Sequence, residues 1–271
     1  MMKDNISIVG AGNLGLSLVK GLVESGEFTP QQFKLSRRRI EKLNEMAKMG
    51  YHIFNDNKLA VENISIVVLA VLPQKINEVL QEIKNKLDPD TLLISLVSGV
   101  EINNISSIIG DQIPIVRAMP NTAISIRESM TCITTIQKWE HHLDKVKSIF
   151  DHVGETAIIN EEKMTSATAL CACGIAFFLR SIRAASQGGN EIDFHASEAL
   201  KMAAQTAKGA ASLLLENNSH PEDEIDKVTS PKGCTIAGLN EMEHNGFSSA
   251  FIKGITTVSY THLRAHETNS H

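Results

Sequence analysis

The sequence predicts an α/β protein: an N-terminal Rossmann-like, doubly wound, mostly parallel sheet followed by a C-terminal all-helical dimerisation domain. Three observations support this prediction. Short β-rich runs alternate with helical runs up to about residue 159. A Gly-x-Gly-x-x-Gly segment follows the first of these runs, and the β signals end after Glu161. We therefore expect a sheet domain over residues 1–159 and a helical domain over residues 160–260.

Seven strands are expected in the first domain. The third and fourth are near-continuous apolar runs, which is the pattern of a parallel sheet covered by helices on both faces. Helices are predicted over Leu14–Ser25 and Ile40–Met49, where Gly26 and Gly50 end them. The predicted strands are Ile6–Val9, Phe33–Ser36, Ile64–Val71, Thr91–Val97, Pro114–Arg117, Met130–Thr135 and Thr156–Ile159.

The second domain is predicted to contain helices over Glu162–Ser186, Phe194–Glu216, Ile236–His244 and Ser248–Val258. The first two are rich in alanine and apolar over much of their circumference, so they need burial on more than one side. A second subunit is the simplest source of that cover, and we expect a homodimer or a higher oligomer of dimers. Residues 261–271 are polar and rich in histidine, and we expect them to be a disordered or artefactual tail.

The composition excludes several kinds of partner. The 271 residues include 26 basic and 31 acidic side chains, which gives a net charge of −5 with histidine neutral. A nucleic acid or an anionic membrane would require a positive field, and aromatic residues for base stacking make up only 4% of the chain. We expect no nucleic-acid partner and no membrane partner.

The four cysteines predict neither disulfides nor a metal site. Cys132, Cys171, Cys173 and Cys234 contain no Cys-x-x-Cys pair and lie among apolar or small residues. Reduced thiols are typical of the cytosol. No apolar signal segment precedes the first glycine turn, and no uninterrupted apolar stretch is expected to span a bilayer. A cytoplasmic protein is the expectation.

The segment Gly10–Gly15 follows an apolar strand and opens a helix, which is the context that binds a dinucleotide. Gly10 permits the tight turn, Gly12 lets the backbone approach a diphosphate, and Gly15 allows close packing of helix on strand. The backbone at Asn13 and Leu14, in the first helical turn, supplies N–H groups for the phosphates.

The end of the second strand predicts which dinucleotide binds. An NAD site would carry Asp or Glu there to hold the ribose 2′-hydroxyl. The chain instead has Ser36 and Arg37, followed by two further arginines, with no acid before Glu41. A hydroxyl and guanidinium groups suit a 2′-phosphate, so we expect NADPH as the cofactor, with NADH possible.

Later strands end in further candidate residues, because the carboxyl ends of parallel strands form the ligand crevice of an open α/β sheet. These cofactor-binding candidates are Ala70, Val71, Pro73, Ser98, Gly99, Met119 and Asn121. In the helical half, residues 229–238 form a polar loop that runs into a helix. Its backbone N–H groups, including those of Gly233 and Cys234, can receive a substrate carboxylate or simply cap the helix.

Taken together, these segments resemble the pyrroline-5-carboxylate reductase family nearly to residue 258. The matching blocks are Gly10–Gly15, Ala70–Gln74, Ser95–Val100, Val116–Thr122, Thr168–Leu170, Met202–Thr206 and Val228–Gly238. The resemblance implies NADPH-dependent reduction of 1-pyrroline-5-carboxylate to L-proline, the last step of proline biosynthesis. It also implies helical domains that interlock between two subunits, a carboxylate-binding Ser230 and a catalytic Thr235 that also contacts the substrate.

The sequence departs from the family pattern at three places. Leu72 replaces a lysine, Lys232 replaces a glycine in the Ser-Pro-Gly-Gly-x-Thr loop, and Ala172–Phe177 replaces Gly-Ser-Gly-Pro-Ala-Tyr. Two alternatives therefore stay open: an NADP-dependent reductase of another imine or a β-hydroxy acid on the same scaffold, and a non-catalytic dinucleotide-binding paralogue. A β-hydroxyacid dehydrogenase would need a catalytic lysine in the helix after Glu161, and Lys163 lies too near its start to fit well.

Overall fold

The structure is a computed structural model that describes residues 4–267. Two compact units form within them: residues up to 172 together with those from 259 on, and residues 173–258. The first unit contains the sheet, and the second contains helices only.

The sheet of the first unit has eight strands in the order β3-β2-β1-β4-β5-β6-β7-β8. All neighbouring strands are parallel except β6 and β7, which confirms the predicted mostly parallel, doubly wound sheet. The strands are β1 (Ile6–Val9), β2 (Phe33–Ser36), β3 (His52–Phe54), β4 (Ile66–Leu69), β5 (Leu92–Ser95), β6 (Ile115–Met119), β7 (Ser129–Thr134) and β8 (Gly154–Ile158).

Helices cover both faces of this sheet, so successive residues of one strand enter different cores. In β4, Ile66 and Val68 pack into one apolar cluster, whereas Val67 and Leu69 pack into another. This double burial explains the uninterrupted apolar sequence of the central strands. The helices of the first unit are α1 (Asn13–Glu24), α2 (Asn44–Lys48), α3 (Asn57–Val61), α4 (Ile76–Ile83), α5 (Ile102–Ile109), α6 (Leu143–Phe150) and α7 (Met164–Ala167).

Two features of the region after β2 differ from the sequence-based prediction. The predicted helix Ile40–Met49 begins as a 3₁₀ turn over Ile40–Leu43, in which the Lys42 N–H donates to the Arg39 carbonyl at 3.2 Å. Such turns are common at helix starts, and α2 is correspondingly short. Strand β3 and helix α3 were not predicted, because β3 has only three residues at the sheet edge and none of them is fully buried.

The predicted helix Glu162–Ser186 is interrupted in the structure. Residues Glu161–Lys163 form a 3₁₀ turn, α7 follows, and Thr168–Ala172 form a π-helical segment. Met164 and Ala167 pack with Met119 and Cys132 of the sheet, so the compact first unit extends to residue 172 instead of ending at the predicted 159.

The second unit contains α8 (Gly174–Glu191), α9 (Ala196–Asn217), α10 (Pro221–Val228), α11 (Cys234–His244) and most of α12 (Phe247–Glu267). Helices α8 and α9 approach closely: a Cβ atom added at Gly189 would lie 2.9 Å from the Cβ of Ala199. The two small residues at this contact allow the helix backbones to approach closely. The sequence analysis missed α10, although it begins with Pro221 and has acidic residues in its first turn.

The end of the chain also differs from expectation. The predicted tail 261–271 continues as helix α12 through Glu267, since residues such as Leu263, Arg264 and Ala265 favour helix and extending an existing helix costs little. Residues 268–271 lie outside the described residues.

One helical stretch of the described residues, Glu161–Glu191, is long and apolar enough to cross a membrane by length and composition alone. Only 17% of the most apolar 18-residue segment of this stretch is buried. No such stretch was expected from the sequence, where polar residues break the run. Low burial of an apolar helix is also what an interface with a second copy would produce.

Candidate active site

The glycine turn at the end of β1 is built for close approach of backbone atoms. Gly10 has φ +89°, and a Cβ there would lie 2.6 Å from Cγ1 of Val71 and 2.9 Å from the Ala70 carbonyl oxygen. A Cβ at Gly15 would lie 2.8 Å from Cγ2 of Ile8. Both positions therefore require glycine: Gly10 for the shape of the turn, and Gly15 for packing of α1 against β1.

The turn is held by β2 and leads directly into α1. The N–H groups of Gly10 and Ala11 donate to the Ser36 carbonyl oxygen at 3.1 and 2.8 Å. A Cβ at Gly12 would meet nothing closer than 3.8 Å, so the chain is open on that side. The first-turn N–H groups of α1, including those of Asn13 and Leu14, have no intrahelical partner, and no acidic residue lies in this turn. The arrangement suits a diphosphate.

At the end of β2, the two residues predicted to contact a 2′-phosphate differ in exposure. The Arg37 guanidinium is partly exposed and donates to the Ala11 carbonyl oxygen at 3.3 Å, so its positive charge lies beside the glycine turn. Ser36 is only 1% exposed, and its hydroxyl donates to Oδ1 of Asn57. The Asn57 amide in turn donates to Oε2 of Glu82 at 2.8 Å.

The other predicted cofactor residues of β4 and β5 lie where those strands end. Ala70 and Val71 are half-buried and Pro73 is exposed, while Ser98 and Gly99 are half-buried in the loop after β5. Because β1, β4 and β5 are parallel neighbours, their carboxyl ends share one edge of the sheet. The structure thus places these residues along the edge that carries the glycine turn.

A buried ion pair fixes the same edge. Arg117 in the middle of β6, paired with Ser95 at the end of β5, has a side chain only 7% exposed, and its Nη1 lies 2.8 Å from Oε1 of Glu161. The same oxygen accepts the backbone N–H of Ile102 at 2.9 Å, at the start of α5. Glu161 therefore joins β6, α5 and the 3₁₀ turn before α7, and its negative charge lies at a favourable helix N-terminus.

A cavity of about 270 Å³ opens between the start of α1 and the loop after β6. The side chain of Asn121 holds that loop, because its Oδ1 accepts the Ala123 N–H at 2.9 Å and its Nδ2 donates to the Cys171 carbonyl oxygen at 3.3 Å. Met119 is 7% exposed and lies in the core. The cavity is lined by Asn13, Leu14, Ser17, Pro120, Asn121, Thr122, Ile124 and Ala172.

Two thiols lie beside this loop. The Sγ atoms of Cys132 on β7 and Cys171 in the π-helical segment are 4.0 Å apart, and Cys132 donates. This hydrogen bond lowers the pKa of Cys171 to about 7, although burial opposes the change. The same hydrogen bond raises the pKa of Cys132, and burial adds a smaller increase. All four cysteines are free thiols.

The predicted substrate loop is a tight turn followed by helix α11. The Gly233 N–H donates to the Ser230 carbonyl oxygen at 2.8 Å, Pro231 follows Ser230, and Lys232 has φ +60°. These are the features of a type II turn, whose third position favours glycine. A Cβ at Gly233 would lie 2.5 Å from Oγ of Ser230.

Helix geometry leaves the first N–H groups of α11 without intrahelical partners. They belong to Cys234 and Thr235, both candidates for substrate binding. Ser230 and Cys234 are exposed and Thr235 is half-buried. The Gly233 N–H, predicted to bind the carboxylate, instead closes the turn in this structure.

The sequence analysis missed several residues of these sites. Asn57 contacts Ser36 at the end of β2, and Glu82 contacts Asn57, only because α3 and α4 bring these residues together, and no local pattern marks them. The Cys132–Cys171 pair and Glu161 likewise depend on contacts 39 and 44 residues apart along the chain. Among the described residues, no group of three or more His, Cys, Asp or Glu side chains is arranged to hold a metal ion.

Comparisons with known proteins agree with both units. A family model described as pyrroline-5-carboxylate reductase dimerisation matches residues 161–263. Another, described as NADP oxidoreductase coenzyme F420-dependent, matches residues 5–99. Among solved structures, a pyrroline-5-carboxylate reductase from Coxiella burnetii is 29% identical, with a TM-score of 0.89 over 97% of this chain and 98% of that one. Plasmodium falciparum pyrroline carboxylate reductase with NADP bound shares the fold, with a TM-score of 0.87 at 23% identity over 97% of this chain and 98% of that one.

Two curated relatives come from Dictyostelium discoideum. Pyrroline-5-carboxylate reductase 1 is 49% identical over 94% of this chain, which spans about half (49%) of that relative's length. Pyrroline-5-carboxylate reductase 2 is 48% identical, and the alignment covers 93% of this chain and 89% of the relative. With this identity over nearly the full length of the second relative, the chain belongs to the pyrroline-5-carboxylate reductase family.

Proposed function

We propose that the chain reduces 1-pyrroline-5-carboxylate to L-proline, with NADPH as the hydride donor and NADH as an alternative. The observation that carries this proposal is that the likeness to the reductase family runs through both units. One unit contains the glycine turn, and the other contains the Ser230–Thr235 loop. The product would make this the last step of proline biosynthesis.

The residues present fit a dinucleotide. The glycines of the turn leave space where side chains would collide, the first turn of α1 supplies N–H donors, and Arg37 adds positive charge beside them. When bound, NADPH supplies a hydride, two electrons with a proton, that forms a C–H bond at the imine carbon. With the imine nitrogen already protonated, the π electrons of the C=N bond would pass to that nitrogen, and the ring would become a secondary amine.

The substrate groups are assigned to the loop before α11. The Ser230 hydroxyl and the N–H groups of Cys234 and Thr235 hold the carboxylate, and Lys232 contributes a positive charge. The Thr235 hydroxyl hydrogen-bonds the imine nitrogen, directly or through water. A protonated imine is already electrophilic, so these residues act mainly by orientation.

The proposal includes a second copy of the chain, whose Ser230–Thr235 loop forms part of the active site. Support comes from the family description of residues 161–263 as a dimerisation region and from the exposed apolar side chains of α8 and α9. We further propose a cytoplasmic location, which agrees with the four free thiols, and no nucleic-acid or membrane partner, which agrees with the net charge of −5.

The purified chain can be assayed for NADPH oxidation with 1-pyrroline-5-carboxylate, beside other cyclic imines. We expect the highest kcat/KM with 1-pyrroline-5-carboxylate and L-proline as the product. Matched reactions lacking the imine control for background oxidation. A higher kcat/KM for another imine, or NADPH binding without proline formation, would overturn the proposal.

Replacing Thr235 tests its assigned role. Thr235→Ala removes a hydroxyl that hydrogen-bonds a charged group, so kcat should fall by about 10- to 100-fold while the NADPH Kd changes little. Thr235→Ser keeps the hydroxyl and should retain most of the activity. Steady-state kinetics and a cofactor titration measure both effects. An unchanged kcat in Thr235→Ala would remove Thr235 from the mechanism.

A further inference from the structure

Two thiols from distant parts of the chain lie close together near the cavity. Cys132 on β7 and Cys171 in the π-helical segment are 39 residues apart in sequence, yet their Sγ atoms are 4.0 Å apart. A disulfide requires about 2.05 Å between its sulfur atoms, so a bond between these side chains requires an approach of about 2 Å. Both side chains are free thiols in this structure.

The two sulfurs differ in their access to an oxidant. Cys132 is 4% exposed and lies in an apolar cluster with Met119 and Met164, whereas Cys171 packs against that cluster and is half-buried. The hydrogen bond from Cys132 favours the thiolate of Cys171 and lowers the pKa of Cys171 to about 7. Because oxidants attack the accessible thiolate, Cys171 is the first of the two to react.

We propose that hydrogen peroxide oxidises Cys171 and Cys132 to an intramolecular disulfide. The Cys171 thiolate attacks one peroxide oxygen: an S–O bond forms, the O–O bond breaks, and hydroxide leaves and binds a proton to become water. Cys171 is then a sulfenic acid. The Cys132 sulfur attacks the Cys171 sulfur, an S–S bond forms, and the S–O bond breaks. The hydroxyl group leaves with the Cys132 proton as a second water, so the thiols lose two electrons and the peroxide gains them.

The strand side of this pair is fixed, so the approach of the two sulfurs depends on Cys171. Strand β7 lies between β6 and β8, and Cys132 is paired with Met119 on one side and with Ala157 on the other. The π-helical segment has only five residues, and Leu170, next to Cys171, is 55% exposed. Closing the distance between the sulfurs therefore moves Cys171 toward the sheet.

This movement affects the loop after β6. The Cys171 carbonyl oxygen accepts a hydrogen bond from Nδ2 of Asn121 at 3.3 Å, which is already long for an N–H···O bond, so a small displacement breaks it. Asn121 and Ala172 both line the cavity. Oxidation of the two thiols therefore releases a contact that holds one wall of the candidate site.

The test treats the full chain with a small excess of hydrogen peroxide and then blocks the remaining thiols with N-ethylmaleimide. Peptide mass spectrometry without reductant should identify a Cys132–Cys171 disulfide that dithiothreitol reverses, and non-reducing electrophoresis should show a single chain. Cys173→Ser is the matched control, because it removes another half-buried thiol two residues from Cys171, and it should form the same disulfide.

Two further variants test the order of the steps. In Cys132→Ala the second thiol is absent, so dimedone should trap Cys171 as a sulfenic acid. In Cys171→Ser the buried Cys132 should remain a thiol under the same treatment. Thermal melts before treatment establish that each variant is folded.

Hydrogen exchange tests the effect on the loop. Exchange over residues 121–126 should be faster in the oxidised chain than in the reduced chain by about three- to tenfold, while β5 should be unchanged. A disulfide that involves Cys173, a bridge between two chains, oxidation of Cys132 in Cys171→Ser, or equal exchange in the two states would each overturn the inference. None of these measurements requires imine reduction, so failure of the proposed function is detected separately by the absence of proline.

Discussion

At the scale of single residues, the two thiols beside the Asn121 loop show how one hydrogen bond can give two cysteines different pKa values. Cys132 on β7 donates its S–H, and Cys171 accepts. The accepting sulfur is stabilised as a thiolate, and the donating sulfur is held as a thiol. The reactive nucleophile of the pair is therefore Cys171, which is half-buried, and not Cys132, which is 4% exposed.

Alkylation of Cys171 by iodoacetamide should rise with pH and reach half its maximum near pH 7, because only the thiolate reacts. Below that pH the sulfur is protonated, and above it the Cys132 S–H holds the negative charge. Peptide mass spectrometry after short exposures measures the rate at this position.

The matched variant is Cys132→Ala, which removes the donor. The pKa of Cys171 should then move upward toward the ordinary cysteine range, and the alkylation rate at neutral pH should fall by about tenfold. Identical pH profiles in the two proteins would show that the Cys132 contact does not control this thiol.

At the scale of secondary structure, prediction succeeded where local pattern and burial agree. The central strands contribute apolar side chains to two cores at once, so their composition alone identifies them. Strand β3 has three residues and no buried position, so its sequence carries little signal. The π-helical segment Thr168–Ala172 depends on packing against the sheet, and no hydrophobic periodicity in the local sequence indicates that packing. The glycine turn was fully predictable, whereas the Ser36–Asn57–Glu82 chain was not, since its members are 21 and 25 residues apart.

The turn before α11 should become more stable in Lys232→Gly. Lys232 has φ +60°, a conformation that costs an L-residue about 1 kcal/mol and costs glycine little. We expect the free energy of unfolding to rise by about 0.5–1 kcal/mol, as measured by urea titration at fixed protein concentration.

Lys232→Ala is the control for this turn, because it removes the charge but keeps a Cβ at positive φ. It should not raise the free energy of unfolding. Equal effects of alanine and glycine would show that backbone strain at this position is not the cause.

The ion pair that joins β6, α5 and the turn before α7 should be important for stability. Glu161→Ala leaves the buried guanidinium of Arg117 unpaired, and the free energy of unfolding should fall by about 3 kcal/mol. Glu161→Gln keeps an acceptor for the Ile102 N–H and should lose less. Urea titration compares the three proteins, and a loss below about 0.5 kcal/mol in Glu161→Ala would contradict this account.

At the scale of the whole molecule, the second unit exposes many large apolar side chains, which is typical of a surface that binds another protein. Its family match is to a dimerisation region, and the exposed side chains lie mainly on the two alanine-rich helices and on α12. A second copy accounts for this surface, and it also accounts for the low burial of the apolar stretch Glu161–Glu191. The exposed apolar residues include Phe178, Leu179, Leu200, Leu213, Leu215 and Ile252.

Leu179→Lys should weaken self-association. This leucine is 59% exposed in the single chain, and a charge buried without a partner at an interface should raise the dimer dissociation constant by at least about tenfold. Sedimentation equilibrium measures the constant. Activity should fall in parallel if the active site includes a loop from the second copy.

The control for self-association is Met49→Lys, which changes a residue of the sheet unit that is 56% exposed. It should leave the dissociation constant unchanged. If Leu179→Lys associates as strongly as the unmodified chain, the surface around Leu179 is not the dimer interface.

The packing of Gly10 against Ala70 and Val71 has a consequence for protein synthesis. A nascent chain cannot complete the glycine turn when its first helix leaves the ribosome, because the residues that border the turn are translated some 60 positions later. Cofactor in the cell can therefore stabilise the growing polypeptide only after β4 has emerged and paired with β1.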